Sequence, residues 1–326
     1  MFKYILKRIG LMFLTAIIIM TMLFFLVKML PDPITCATGT DTCETEKIWR
    51  EALGYNKPLL VQYWIYLKNL ITKGSFGVGF KMYPLRSVTE TVFAKMPATM
   101  FVNFLSLIFA IPLGLGFGIL AALKKNKWED QVISILVMVI ISVPSFVYAF
   151  LIQYLWAKAS ISNPLVVYAF ESIGTVVAGK TITFWDLLYS YLPPIFCLSL
   201  GVIAGLTRFT RAELTEVLTS DFMLLARAKG LTRGQATIHH ALRNAMVPII
   251  PSIMGEFIAI IGGSLIIENF FTIPGVGGLY LMSIQQVDYN FFMFLSMFYV
   301  VIGLASGLVI DLSYGMVDPR IRMGAR

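Results

Sequence analysis

One carboxylate lies in the middle of an otherwise apolar stretch of this chain. Glu256 is the only ionisable residue between Met246 and Ile267. An ionisable side chain inside a membrane is costly and often functional, so Glu256 is a candidate to line a polar path, together with Asn103 and Gln153. The alternative is a structural role, in which Glu256 faces an interface and is hydrogen-bonded to a residue such as Asn103.

A second segment with a useful pattern is the basic stretch 208–245. Ser220 or Asp221 is a suitable helix N-cap and Gly230 a suitable C-cap, which predicts a short helix over 222–229. A helix that is apolar on one side and basic on the other is suited to bind in a groove on a partner protein. The alternative is a positively charged connecting loop.

No pattern of catalytic residues occurs in the sequence. The phosphate-binding pattern GxxxxGK[ST], the nucleophile pattern GxSxG and the zinc pattern HExxH are all absent. The three cysteines form no CxxC pair and the two histidines, His239 and His240, are adjacent, so no metal site is predicted. Cys36 and Cys43 could form a small-loop disulfide in an oxidising compartment, or remain two free thiols. No catalytic, cofactor-binding or metal-binding residue is assigned.

The elements that must position these residues are membrane-spanning helices. The chain is 58% hydrophobic and 13% charged, whereas soluble domains carry about 25% charged residues. A helix needs about 20 apolar residues to cross the hydrocarbon layer. The predicted spans are Ile9–Val27, Ala98–Leu123, Gln131–Ala157, Leu187–Thr207, Met246–Ile267 and Tyr289–Ile310. The predicted fold is an all-α integral membrane bundle with six transmembrane helices.

The distribution of charge predicts how this bundle is oriented in its membrane. Basic residues concentrate in cytoplasmic loops, which explains the net charge of +8 without a nucleic-acid partner. The short stretches assigned to the inside contain Lys124, Lys125, Lys127, Arg208, Arg211, Arg227, Lys229, Arg233 and Arg243. Both termini are therefore expected in the cytoplasm. The predicted organisation is 1–30 with the first helix, an extracellular region at 31–97, a five-helix core at 98–315 that contains the inner loop 208–245, and a cytoplasmic tail at 316–326.

Several segments match the sequence pattern of one known family. The most specific are Asp221-Phe-Met-Leu-Leu-Ala-Arg-Ala-Lys-Gly-Leu231 and Asp318-Pro-Arg-Ile-Arg322. Further matches are Pro58-Leu-Leu-Val-Gln-Tyr63, Gly74-Ser-Phe-Gly77, His240-Ala-Leu-Arg-Asn-Ala245, Pro248 and Glu268-Asn-Phe-Phe-Thr-Ile-Pro-Gly-Val-Gly277. These segments resemble the permease subunits of ABC importers, above all the dipeptide, oligopeptide and nickel branch. The resemblance covers nearly the whole chain, and the amino-terminal half resembles the B-type subunit.

The resemblance implies a type I importer permease fold and a coupling role for the inner loop. The first short helix of that loop would sit in a cleft of a cytoplasmic ATPase subunit, and ATP and Mg²⁺ would be used by that subunit. The implied partners are a homologous C-type permease, two ATPases, an extracellular or periplasmic solute-binding protein and membrane lipid. The coupling residues carried over by position are Asp221, Ala226, Arg227, Ala228, Lys229, Gly230 and Leu231.

The coupling helix departs from the broader importer pattern at one position. That pattern begins with Glu before two alanines, whereas Leu224 and Leu225 precede Ala226 here, which puts an ion pair from the first position in doubt. The resemblance implies that the small side chains of Ala226 and Ala228 allow close contact with the ATPase. It also implies that the basic residues pair with acidic groups on that partner.

The resemblance further implies an outer gate and a class of cargo. Glu268, Pro274 and Gly275 are expected at the outer gate, with Glu268 also a candidate contact for the solute-binding protein. The implied function is a permease subunit for peptides, and the chain itself is not expected to be an enzyme. The alternatives are an importer of the same class that carries nickel or a metal chelate, and an ATP-independent carrier in which Glu256 would be the ion-coupling group.

Overall fold

The computed structural model describes residues 2–30, 51, 54–159, 167–177 and 179–317. Cys36, Cys43 and the match at 318–322 lie outside these residues. In chain order the helices are α1 (Phe2–Lys28), α2 (Leu59–Lys73), α3 (Val88–Leu123), α4 (Trp128–Ser142), α5 (Ser145–Ala159), α6 (Phe184–Leu218), α7 (Asp221–Ala228), α8 (Arg233–Ala236), α9 (Leu242–Ala259), α10 (Leu265–Phe270), α11 (Val276–Gln285) and α12 (Tyr289–Val317). A 3-10 turn covers Phe170–Ser172, a π turn at Thr237–Ala241 joins α8 to α9, and β1 (Val176–Val177) pairs antiparallel with β2 (Lys180–Thr181).

Helices α1, α3, α6 and α12 are long and apolar enough to cross a membrane. They contain the first, second, fourth and sixth predicted runs, which are therefore confirmed as helices. Helix α3 begins at Val88 rather than Ala98, because Ser87 caps it by accepting a hydrogen bond from the Glu90 N–H at 3.4 Å. The region predicted as extracellular at 31–97 thus overlaps the first turns of α3.

The third predicted run is broken into two helices. Helices α4 and α5 meet at an angle of 100°. Pro144 explains the break, because proline removes a helical N–H and forces the preceding residue out of the α region. Val143 accordingly has φ −86° and ψ 125°. The four spanning helices become five if this bent pair is one span.

The fifth predicted run ends earlier than the sequence indicated. Helix α9 stops at Ala259, and the chain turns through Gly262 and Gly263, the latter with φ +69°, before the separate short helix α10. The prediction of one helix from 246 to 267 is therefore wrong. Since α9 also carries Arg243 and Glu256, it is not among the spans that length and hydropathy identify in the described residues.

Close packing of α3 against α6 forms the centre of the bundle. A Cβ atom on Gly114 would lie 2.8 Å from Leu206 Cβ, and one on Gly118 would lie 2.6 Å from Thr210 Cβ. The Thr207 hydroxyl also donates to the Gly114 carbonyl at 3.2 Å. Small residues four apart allow two membrane helices to approach closely, so these glycines fix the α3–α6 contact.

Two buried carboxylates attach loops to the bundle. At one end of the bundle, Asp130 accepts hydrogen bonds from Arg211 Nε at 2.5 Å and Nη2 at 2.8 Å, which ties the start of α4 to α6. Asp288 accepts from the backbone N–H groups of Phe80, Lys81 and Met82 at 2.8, 2.9 and 3.2 Å. The loop before α3 is thereby held against the start of α12.

Candidate functional site: an inner docking helix and a membrane cavity

The short inner helix predicted from its capping residues is present as α7. Ser220 occupies the N-cap with an extended backbone, although its hydroxyl donates to the Val217 carbonyl at 2.5 Å and does not cap the helix. Gly230 follows the helix with φ +92°, a conformation that suits glycine. The Gly230 N–H donates to the Arg227 carbonyl at 3.0 Å, and the Leu231 N–H donates to the Ala226 carbonyl at 3.4 Å. The chain therefore reverses where the sequence predicted.

One face of α7 packs on its own chain. Met223 and Ala226, three residues apart and so on one helical face, are 4% and 7% exposed. They belong to a cluster, here called the inner core, that consists of Ala122, Leu214, Met223, Ala226, Ala236, Ala241, Ala245 and Ile249. Ala226 is therefore covered by its own chain here, whereas the resemblance implied that its side chain contacts the ATPase. The burial follows from the phase of the helix, which places Met223 and Ala226 on the face that packs beside α8 and the π turn.

The opposite face of α7 is apolar and uncovered. Leu224 and Leu225 are 63% and 58% exposed, and Phe222 is 40% exposed. Arg227, Ala228 and Lys229 are exposed beside them, and neither basic residue forms an ion pair within the described chain. We call Phe222, Leu224, Leu225, Arg227, Ala228 and Lys229 the docking face. An exposed apolar patch with a charged rim is typical of a protein-binding surface.

The two leucines of the docking face were singled out in the sequence only as a departure from a family pattern. Their exposure was not predicted. The signal that could have revealed it is the helical period: with Met223 and Ala226 on the buried face, Leu224 and Leu225 must point elsewhere.

Two of the three polar candidates for a path meet at one cavity. Asn103 on α3 and Glu256 on α9 both line a space of about 200 Å³ that also borders α6. Glu256 is half-buried and has no hydrogen-bond partner among the described residues. The Asn103 amide donates to the Thr99 carbonyl at 2.7 Å rather than to Glu256. Gln153 lies on α5 and does not line this cavity, so the structure brings together two of the three predicted residues.

A buried carboxylate lies just beyond this cavity. Glu268 on α10 is fully buried. Its carboxylate accepts hydrogen bonds from the Gly277 N–H at 2.8 Å, the Thr99 hydroxyl at 3.1 Å and the Ser264 N–H at 3.2 Å. Thr99 in turn accepts from the Val276 N–H at 2.8 Å. This network, here called the outer clasp, joins α3 to the chain on both sides of α10.

Two glycines without side chains provide the space that the Glu268 carboxylate of the outer clasp occupies. A Cβ atom on Gly263 would lie 2.0 Å from Glu268 Oε1, and one on Gly275 would lie 2.2 Å from Oε2. Gly275 directly follows Pro274, so Pro274 and Gly275 lie beside Glu268, the third residue predicted for an outer gate. Glu268 itself is buried and offers no surface to a binding protein in this conformation, unlike the accessible outer position expected for it.

No group of three or more metal-ligating side chains occurs within the described ranges. Cys197 is a buried free thiol on α6. The bundle of long apolar helices, with a partly polar cavity between them, defines a multi-pass membrane protein.

Comparison with known proteins identifies the family to which this chain belongs. Residues 114–323 match the family described as binding-protein-dependent transport system inner membrane component, and residues 1–103 match the N-terminal model of the same systems. The chain belongs to this family of transport components, in which ATP hydrolysis falls to separate subunits.

Similar proteins align over the whole chain. The dipeptide transport system permease protein DppB of Lactococcus lactis subsp. cremoris is 34% identical over 323 residues, covering 99% of this chain and 100% of the relative. DppB of Bacillus subtilis is 33% identical and the glutathione transport system permease protein GsiC of Escherichia coli (strain K12) 29% identical, each covering 99% of both chains. The crystal structure of an amino acid ABC transporter with histidines shares the fold, with a TM-score of 0.50 and 17% identity over 69% of this chain and 92% of that one.

Proposed function

We propose that this chain is the B-type permease subunit of an ATP-driven importer of small peptides. It forms the translocation path with a homologous C-type permease, receives cargo from an outer solute-binding protein and is driven by two cytoplasmic ATPases that use ATP and Mg²⁺. The observation that carries the proposal is the docking face of α7, whose apolar side chains are uncovered in this chain. The full-length similarity to dipeptide and glutathione permeases supports peptide cargo.

The proposed topology has six spans and both termini in the cytoplasm. It counts α4 with α5 as one span and α9 as another, in addition to the four long helices. Basic residues on the side that carries α7 support this orientation, since positive charge favours the cytoplasmic side. Residues 31–97 would then face the outside, where Cys36 and Cys43 have the opportunity to pair.

The packing of α7 explains how a movement of the ATPase subunits would change the shape of the cavity. Met223 and Ala226 contact the inner core, to which α6 contributes Leu214 and α9 contributes Ala245. The same two helices continue to the cavity, which Glu256 lines from α9. Because packed interiors transmit strain, a displacement of α7 by the ATPases would move both helices at the cavity.

The outer clasp would serve as the outer closure in this scheme. Ser264 lines the cavity and also donates to Glu268, so the cavity wall and the clasp share a residue. Opening towards the binding protein would require the α10 segment to move relative to α3. Glu268 acts here as a positioning residue, and Pro274 and Gly275 shape the adjoining turn.

The experiment is ATP-dependent uptake into vesicles that contain this chain with its partner permease, both ATPases and the binding protein. A labelled dipeptide, glutathione and a nickel chelate are compared as cargo. We expect peptide uptake that requires ATP and stops when the ATPases are omitted. Uptake at the same rate without ATPases would refute the proposal in favour of an independent carrier, and uptake of the nickel chelate alone would refute the peptide assignment.

A further inference from the structure

We infer that the cavity at Glu256 binds a primary ammonium group of the cargo, such as the amino terminus of a peptide. This inference rests on the proposed function and adds the chemistry by which the path recognises its cargo. It depends on three features: the hydrogen-bonding capacity left over in the cavity, its size, and its position between three helices.

The strongest free hydrogen-bonding group of the cavity is a carboxylate. One N–H of the Asn103 side-chain amide donates to the Thr99 carbonyl, the Ser106 hydroxyl donates to the Asn103 backbone carbonyl at 2.7 Å, and the Ser264 N–H donates to Glu268. The remaining capacity is the carboxylate of Glu256, the side-chain oxygen and second N–H of Asn103, and the hydroxyl hydrogen of Ser264. A group with several N–H donors and a positive charge complements the carboxylate and the Asn103 oxygen, because hydrogen bonds between charged partners are the strong ones.

No residue in the described part of the chain compensates the charge of Glu256. Among the described residues no lysine or arginine forms an ion pair with it, whereas Asp130 and Asp311 pair with Arg211 and Arg8. A half-buried carboxylate within the membrane is costly unless it finds a partner. A cationic ligand that enters the cavity would provide that partner.

The size of the cavity favours an end group over a whole molecule. About 200 Å³ is available, below the range of about 300–1,000 Å³ typical of pockets that enclose a small-molecule ligand. The walls are otherwise apolar, with Leu107, Leu198, Val202 and Ala259 among the lining residues. A divalent metal ion would need about six oxygen ligands, and the cavity supplies one carboxylate. An ammonium group with its adjoining carbon atoms fits these limits better.

The experiment compares variants of the complete transporter in vesicles, with a labelled dipeptide that has a free amino terminus. Glu256→Gln keeps the size of the side chain and removes its charge, whereas Glu256→Asp keeps the charge. Glu171→Gln, an exposed carboxylate outside the cavity, is the matched control. Basal ATPase activity and the thermal stability of the complex are measured for each variant, because a purely structural role would change them.

We expect Glu256→Gln to lower the uptake rate at least about tenfold, the equivalent of one charged hydrogen bond, with basal ATPase activity retained. Glu256→Asp should recover a clear part of that loss, and Glu171→Gln should match the wild type. Wild-type rates in Glu256→Gln, or equal losses in the Gln and Asp variants, would overturn the inference. A wild-type rate that depends on added sodium, at a constant concentration of ATP and Mg²⁺, would overturn it too, by assigning the cavity to an inorganic cation. Failure of the wild type itself to import peptide would instead refute the proposed function.

Discussion

Removing the two leucines of the docking face should weaken binding of the ATPase subunits. Leu224 and Leu225 are 63% and 58% exposed in this chain. Full burial of a leucine contributes about 1.5–3 kcal/mol, so covering the exposed part of each contributes about 1 kcal/mol more than alanine would. The double variant Leu224→Ala/Leu225→Ala should therefore lose about 2 kcal/mol, or about 30-fold in affinity.

The assay is binding of the purified ATPase subunits to the permease pair in lipid nanodiscs, followed by ATP-dependent uptake. Ile238→Ala is the matched control, because Ile238 is also 63% exposed on the inner side but belongs to the π turn and not to α7. We expect the control to bind within about threefold of the wild type. Equal affinity of the double variant and the wild type would refute docking through this face. An equal loss in the Ile238 control would mean that inner-side hydrophobicity, and not α7, determines binding.

Two further predictions concern the groups that hold the bundle. Gly275→Ala places a methyl group 2.2 Å from Glu268 Oε2, and it should reduce uptake several-fold without loss of ATPase binding. The control is Gly278→Ala, whose methyl group would lie 3.7 Å from the nearest atom, the Ile273 carbonyl oxygen, so its uptake should be close to wild type. Asp130→Asn removes the charge from a bidentate ion pair and should lower the stability of the detergent-solubilised chain by about 2 kcal/mol, seen as a lower midpoint in thermal unfolding. Equal behaviour of the two glycine variants, or an unchanged midpoint, would contradict the respective assignment.

Hydropathy predicted where helices occur better than where they break. The runs in α1, α3, α6 and α12 are long and apolar, and their helices follow from length and composition. Pro144 was visible in the sequence, but membrane helices tolerate proline when neighbours satisfy the freed carbonyl, so the 100° bend depends on packing. The end of α9 before Gly262 and Gly263 was hidden because the residues on both sides are equally apolar.

Within the candidate site, the orientation of the side chains was harder to predict from the sequence than the position of the helices. The sequence located α7 from its capping residues, but it did not reveal that Ala226 is buried or that Leu224 and Leu225 are exposed. A helix of eight residues has no preferred face until neighbouring helices supply a core, and here that core comes from α6 and α9. Glu268 is a similar case, because three backbone and hydroxyl donors reach its carboxylate only once Thr99 and Gly277 are brought beside it by the fold.

In the proposed function, coupling from the ATPase to the cargo depends on one continuous helical segment. The chain from Ala241 through α9 to Glu256 is helical without interruption, and 15 residues at 1.5 Å each separate the inner core from the carboxylate by about 22 Å. Pro248 and Pro251 lie between them, and each removes one backbone hydrogen bond. This part of α9 is therefore where bending costs least. A movement of α7 would then tilt the third of α9 that packs in the inner core, and the bend would convert that tilt into a change of the cavity wall at Glu256.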